Sequence, residues 1–254
     1  MVKEEKSNLS TDIIEGRNPI SEALKSGREI DKILVAKGDR NGSIIKIISE
    51  AKKRGIVVQE VERAKLDSLS HTKNHQGVVA YTAAAEYVSV EDILNSARAK
   101  GENPFIIIAD EITDPHNLGS LLRTANAAGA HGIIIPKRRS VGLNSVVAKT
   151  SAGAVEFTPV AKVSNIAQTI DRLKKENVWV IGADMDGENT IYTQDFTGSV
   201  AIVVGSEGEG ISKIVKDKCD FLVQIPMRGE ITSLNASVAG ALMIYEVVRA
   251  RESK

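Results

Sequence analysis

At 254 residues, with 42% apolar and 26% charged side chains, the chain can bury a core, which excludes disorder and implies one large domain or two modest ones. Its formal net charge is zero, so no global field attracts nucleic acid and any such contact must come from local patches. The one cysteine, Cys219, excludes an internal disulfide and a cysteine-cluster metal site.

The opening MVKEEKSNLS is polar and lacks the apolar core of a signal peptide, and residues 1–12 read as a flexible tail. Apolar runs such as Phe105–Ala109 are too short to span a bilayer, so a cytoplasmic protein with no membrane contact is expected. Gly16–Pro19 reads as a turn, with Pro19 at the first position of a helix to about Ser26. A strand at Ile33–Ala36 precedes a helix at Ser43–Arg54, marked by Ile44, Ile45, Ile47, Ile48 and Ala51 and stopped by Gly55. Val57–Val61 is a strand, Glu62–Leu69 a helix, Thr72–His75 a turn and Gln76–Tyr81 a strand. The alternation predicts a small α/β layer domain over residues 13–83. Residues 84–103 hold few bulky apolar side chains and a short helix near Val90–Lys100, and are read in part as a linker.

A second domain, residues 104–254, opens with the buried strand of PFIIIADEI. Helices are predicted at Leu118–Ala128, Asn144–Thr150, Ile166–Glu176 and Ile211–Lys216, and strands at Gly132–Ile135, Glu156–Pro159, Val178–Ala183, Ser199–Val204 and Phe221–Ile225. This pattern predicts a mainly parallel sheet covered on both faces. In the closing stretch, Thr232 or Ser233 is placed at a helix N-cap, before apolar residues at Leu234, Val238, Leu242 and Tyr245. The small residues Ala236, Ser237, Ala239, Gly240 and Ala241 permit close approach of a backbone or a flat ligand.

Two turns read as walls of one small-molecule site: Gly205–Gly210 (GSEGEG) and the loop before the last helix. The first has G-x-x-G-x-G rather than dinucleotide G-x-G-x-x-G spacing, and is either a bare tight turn or a ligand wall. Glu207 there suits a cationic or hydroxyl-bearing ligand better than a bare phosphate. Asp110, Glu111 and Asp114–Asn117 follow a strand, at the sheet edge where such folds bind ligands. Arg123 sits on or beside an apolar helix face, which is costly unless it is paired. It either bridges to an acid or serves the site. His116 reads as a solvated loop histidine, and no second His or Cys stands at metal-ligand spacing, so no metal is expected. Lys137, Arg138 and Arg139 form either a solvated loop or a phosphate contact. Arg17, Asn18, His75 and Gln76 lie in polar turns that are either ordinary turns or RNA contacts.

Three stretches carry a resemblance: NLGSLLRTA at Asn117–Ala125, VGSEGEGIS at Val204–Ser212 and IPMRGEITSLNASVA at Ile225–Ala239. Together they resemble the ordered motifs of the SpoU/TrmH family of RNA 2′-O-ribose methyltransferases. EGRNP and NHQGVVA near the start resemble the substrate-binding domain of the type that methylates a guanosine of bacterial 23S rRNA. The likeness covers roughly residues 13–251. It implies an L30e-like first domain, a trefoil-knotted α/β (SPOUT) second domain, S-adenosylmethionine as methyl donor, an RNA substrate and a homodimer. By the same resemblance, Asn117, Arg123, Glu207, Ser233 and Asn235 take the catalytic positions, and Gly205, Ile225, Met227, Ser233 and Leu234 hold the cofactor. Ala236 stands where a larger aliphatic is common. Arg123 takes the base position, although a guanidinium stays protonated and can instead orient phosphate and stabilise an alkoxide. The competing readings are a tRNA methyltransferase of the same family, a non-catalytic RNA-binding or ribosome-assembly protein, and a nicotinamide-dependent oxidoreductase.

Overall fold

The structure, a computed structural model, describes residues 13–39, 42–70, 72–230 and 232–253. The tail expected over residues 1–12 lies outside them. The chain divides into two compact units, the first reaching Ala85 and the second beginning at Glu86, with Leu143–Ser145 grouped with the first.

The first unit runs β1 (Ile13–Glu15), α1 (Arg17–Lys25), β2 (Ile30–Ala36), α2 (Gly42–Lys53), β3 (Val57–Val61), α3 (Arg63–Leu69), β4 (Val78–Thr82). Its sheet has the order β1-β4-β2-β3, with β2 and β3 parallel and the other pairs antiparallel. Alternate residues of β2 face opposite ways. Ile33 and Val35 pack with Ile20, Leu24, Ile44 and Ile47, whereas Leu34 packs with Leu66 and Val79. Helix α1 begins at Arg17 after Gly16 at φ +89°, so Pro19 is its third residue, not its first.

The second unit runs α4 (Val90–Lys100), β5 (Phe105–Ala109), α5 (Pro115–Ala127), β6 (Gly132–Pro136), α6 (Ser145–Thr150), a 3₁₀ turn (Ala154–Glu156), β7 (Val160–Val163), α7 (Ile166–Lys175), β8 (Trp179–Ala183), β9 (Asn189–Thr190), β10 (Val200–Val204), α8 (Lys213–Lys216), β11 (Phe221–Gln224), α9 (Ala236–Glu252). The seven strands lie in the order β7-β6-β5-β10-β8-β11-β9, and their pairings are parallel. Central strands β5 and β10 are buried along their whole length, as expected of strands covered on both faces.

Helix α4 occupies much of the stretch read in part as a linker. Its few apolar residues stand at helical spacing, and Val90, Ile93, Leu94 and Ala97 are buried in the core of the second unit. A capping box formed by Ser89 and Asp92 starts it, and Gly101 in the left-handed region ends it. The strand expected at Glu156–Pro159 is displaced to Val160–Val163. Pro159 has no N–H to give a ladder, and the residues before it close the 3₁₀ turn instead. No helix among the described residues is long and apolar enough to cross a membrane.

Helix α9 is fixed to the amino edge of the sheet by Arg251. Its Nη2 donates to the carbonyls of Pro104 at 3.1 Å and Gly198 at 2.9 Å, and its guanidinium lies 5.2 Å from the centre of the Phe105 ring. Nearby, the fully buried ring of His131 accepts the Phe105 N–H at Nδ1 (3.0 Å) and faces Glu102 through Nε2 (3.1 Å). Burial holds the His131 pKa below its ordinary value, against the opposing pull of Glu102. Below about pH 6.5 the unfolded chain therefore binds a proton that the folded one resists, and stability falls as the pH drops through that window. Thermal melts from pH 7 to pH 5 should show this fall. His131→Asn, which keeps an acceptor without the titrating ring, should be less stable at pH 7 but show a flatter decline. An equal decline in both proteins would refute the assignment.

Candidate functional site

Strands β5 and β10 are neighbours, and between them the chain's path through the sheet changes direction, the position where parallel sheets open a crevice at their carboxyl ends. The two ends are joined by Asp110. Its N–H donates to the Val204 carbonyl, and its buried carboxylate accepts the Ser212 N–H at 2.8 Å. Beyond β5, Asp114 caps α5 by accepting the His116 N–H at 2.8 Å, and Pro115 occupies the first helical position. The helix therefore starts three residues earlier than Leu118, and Asn117 is buried in its first turn.

Beyond β10, Gly205–Gly210 closes on itself through two 3.0 Å bonds between the Ser206 and Gly210 backbones. A Cβ on Gly205 would lie 2.1 Å from the carbonyl carbon of Gly210, so no other residue fits there without moving the backbone. The closed turn presents Glu207. The third contributor is Asn235, the N-cap of α9. Thr232 and Ser233, the caps expected from sequence, both precede it and are exposed. Asn235 Oδ1 accepts from the Ser237 N–H (3.0 Å), the Ser237 hydroxyl (2.6 Å) and the Val238 N–H (3.3 Å). Its Nδ2 donates to Asn117 Oδ1 at 2.9 Å and to Glu207 Oε1, and Asn117 Nδ2 donates to the same Glu207 oxygen at 2.8 Å. A carboxylate held by two amides, with charge-assisted bonds, thus joins three segments distant in sequence.

Residues 104–245 match the SpoU rRNA Methylase family, and residues 13–88 match the RNA 2′-O ribose methyltransferase substrate binding family. A Bacillus subtilis protein assigned to the TrmH family of tRNA/rRNA methyltransferases, YacO, is 49% identical over 94% of this chain and 96% of its own. The chain belongs to the SpoU/TrmH family. The SpoU methyltransferase AviRb of Streptomyces viridochromogenes, solved in complex with AdoMet, superposes with a TM-score of 0.60 at 24% identity, covering 95% of this chain and 91% of that one. A solved RNA 2′-O ribose methyltransferase gives 0.54 at 29% identity over 94% and 88%. The mixed α/β fold with its mainly parallel sheet is thus the SPOUT fold of this family, joined to a substrate-binding domain.

The structure brings Asn117, Glu207 and Asn235 together, but not every residue of the SpoU/TrmH motifs. Arg123 is exposed on α5 and its side chain makes no hydrogen bond or ion pair among the described residues, so the bridge to an acid is not formed. At 100° per residue its direction differs from those of the buried Leu121, Leu122 and Ala125. Ile225 and Leu234 are half-buried and Met227 and Ser233 exposed, in a loop where residues 225–230 and 232–234 make no backbone–backbone hydrogen bond among the described residues. Lys137, Arg138 and Arg139 follow β6 at the same sheet edge. Arg139 pairs with Glu111 at 3.2 Å, and Arg138 is exposed without an ion pair among the described residues. Along α9, Val238, Leu242 and Tyr245 are exposed, while Ala236, Gly240, Met243, Ile244 and Val247 face inward. A Cβ on Gly240 would come within 2.4 Å of Leu121, so α9 lies close against α5.

In the first unit, Arg17 donates to the Gln76 carbonyl (2.9 Å) and pairs with Asp39 (3.4 Å), and Asn18 is exposed. His75, expected in a polar turn open to RNA, is buried instead. Its Nδ1 accepts the Gly77 N–H at 3.0 Å and its Nε2 meets Asp67 at 2.9 Å, so both ring nitrogens are occupied. Asp110 was not singled out for the role it has, because its partner Ser212 lies 102 positions away. The second unit's site has a direct check. Asn235→Ala should cost about 1–3 kcal/mol, removing a helix cap and the amide that faces Glu207. Asn235→Asp keeps the capping oxygen but sets a second carboxylate against Glu207. Its loss in denaturant titrations should shrink as the pH falls from 7 to 4, and a pH-independent loss would contradict the geometry.

Proposed function

We propose that this chain transfers a methyl group from S-adenosylmethionine to a ribose 2′-OH of ribosomal RNA, with a guanosine of the 23S species as target, in the cytoplasm. The carrying observation is the Asn117–Glu207–Asn235 cluster at the carboxyl edge of the sheet, which ties together the segments bearing all three motifs. The residues fit the methyl donor: residues 225–230 and 232–234 hold backbone groups that make no backbone–backbone hydrogen bond among the described residues, and Asn235 at the end of that loop bonds Glu207 of the closed 205–210 turn. In this reading Gly205, Ile225, Met227, Ser233 and Leu234 hold the cofactor, which supplies a methyl group activated on a sulfonium.

Such a transfer depends above all on aligning nucleophile and donor. Asn117, Glu207 and Asn235 supply the rigid frame, with Ser233 on the adjoining loop. Arg123, cationic and without an ion pair among the described residues, orients the neighbouring RNA phosphate and stabilises charge developing on the 2′-oxygen. Its position outside the hydrogen-bonded cluster favours a homodimer in which each Arg123 serves the partner's site. The exposed apolar stripe Val238, Leu242 and Tyr245, on the helix packed against α5, is the surface for that contact. Asn18 at the start of α1 and the basic residues Lys137, Arg138 and Arg139 after β6 add RNA contacts.

Tritiated-methyl transfer to total RNA from a strain lacking the protein, followed by mapping of the modified nucleotide, tests the proposal. Label in a 23S guanosine is expected; label in tRNA alone would move the target, and no label in any RNA would overturn the reading. Arg123→Lys should lower transfer about 100-fold or more while cofactor affinity by calorimetry stays near that of the parent. Strong turnover by that variant would remove Arg123 from the chemistry. Leu242→Asp should convert a dimer to monomer in analytical ultracentrifugation, with transfer lost in parallel.

A further inference from the structure

A ribose hydroxyl that accepts a methyl group gives up a proton, which another group must take. Arg123 can stabilise the oxygen but stays protonated as a guanidinium. Glu207 Oε1 accepts from the amides of Asn117 and Asn235 and serves the frame. A proton acceptor works best when its pKa lies near the working pH, and imidazole is the side chain for which this ordinarily holds. Among the described residues, His75 and His131 are buried with both ring nitrogens engaged inside their units. His116 differs. It is the second residue of α5 and is exposed, and its Nε2 makes no hydrogen bond or ion pair among the described residues. Its Nδ1 lies 3.4 Å from the Thr150 hydroxyl at the end of α6. Close packing holds Thr150 there, since a Cβ on Gly119 would come within 2.6 Å of the Thr150 Cβ. With the ring proton on Nδ1 and donated to Thr150, the Nε2 lone pair is left to accept.

His116 also shares a helix face with Arg123. The two stand seven positions apart, which brings them within about 20° of one another around α5 and about 10 Å apart along it. Long side chains on a helix lean toward its N-terminus, so Arg123 reaches back over the turn between them. On that turn the same face carries Ser120, small and half-buried. An imidazole and a guanidinium thus flank a shallow gap over Ser120. Asn117, next in sequence to His116, ties this end of α5 to Glu207 and Asn235.

We propose that His116 is the general base of the methyl transfer. Its Nε2 takes the 2′-OH proton as the 2′-oxygen bonds to the methyl carbon, and the carbon–sulfur bonding pair stays on the departing thioether sulfur. Arg123 stabilises the charge that develops on the oxygen, and the imidazolium then gives its proton to water. This assignment rests on the RNA methyltransferase reading and gives that reaction the proton acceptor that Arg123 cannot be.

The test uses the full chain, S-adenosylmethionine with a tritiated methyl group and total RNA from a strain lacking the protein. His116→Ala should lower single-turnover transfer about 100-fold or more, and imidazole added to the solution should raise it again about tenfold, in proportion to the imidazole concentration. Pyrazole, of the same shape but far less basic, should restore nothing, and cofactor affinity by calorimetry should be unchanged. Transfer by His116→Ala within about threefold of the parent's would overturn the assignment. So would equal recovery with pyrazole, or no recovery with imidazole. Should His116→Ala fail to fold in thermal melts, His116→Gln decides: it keeps a polar partner for Thr150 but no ring base, and parent-like transfer by it would overturn the assignment. No transfer by the parent protein to any RNA would overturn this assignment and the methyltransferase reading together, whereas an active His116 variant beside an active parent overturns the assignment alone.

Discussion

The catalytic unit depends on one side-chain amide. Asn235 uses its oxygen to satisfy the first N–H groups of α9 and its nitrogen to reach Asn117 and Glu207. A serine or threonine hydroxyl could cap the helix, but it offers a single O–H in place of an NH₂ with two donors. An aspartate could cap equally well but would repel Glu207. The amide is the side chain that meets both demands, and it couples the entry of the last helix to the ends of two central strands. Electrostatics and local helix chemistry are therefore solved by the same atoms.

Around that amide, close packing leaves little room for adjustment. Gly240 seats α9 against Leu121, Gly205 lies against the backbone of Gly210, and Asp110 ties the end of β5 to β10. These contacts place the α5, 205–210 and α9 segments in a fixed relation before any ligand arrives. A site that works by alignment gains from such preorganisation, since little ordering remains to be done when substrates bind.

The sequence was most readable where one physical demand dominated. The runs FIIIA, GIIIP and VAIVV read as strands because strands buried on both faces are apolar throughout. The last helix was less readable. Its bulky Val238, Leu242 and Tyr245 are exposed, while Ala236 and Gly240 are buried beside Met243, Ile244 and Val247, because contact near its start is governed by how near two backbones can come. Its cap was misplaced because Thr232, Ser233 and Asn235 are all good caps, and only partners 28 and 118 positions away distinguish them. The site residues were legible through the resemblance of their motifs. Physical pattern alone could not have joined Asn117 to Glu207, 90 positions apart. His75 reads from its polar neighbours as an ordinary turn residue or an RNA contact, but two local acceptor and donor groups satisfy its ring and let it sink into the unit.

Helix α9 is also held at its far end, where Arg251 grips the carbonyls of Pro104 and Gly198. Its 17 residues span about 25 Å, more than the length of a five-residue strand. The helix is thus a strut fastened to both rims of the sheet, and a slip of one residue along its axis would break both fastenings together. What binds at the carboxyl rim is then felt at the amino rim: holding Asn235 in place also holds Arg251, and slows the opening of the backbone around Pro104 and Phe105 on the opposite side of the domain.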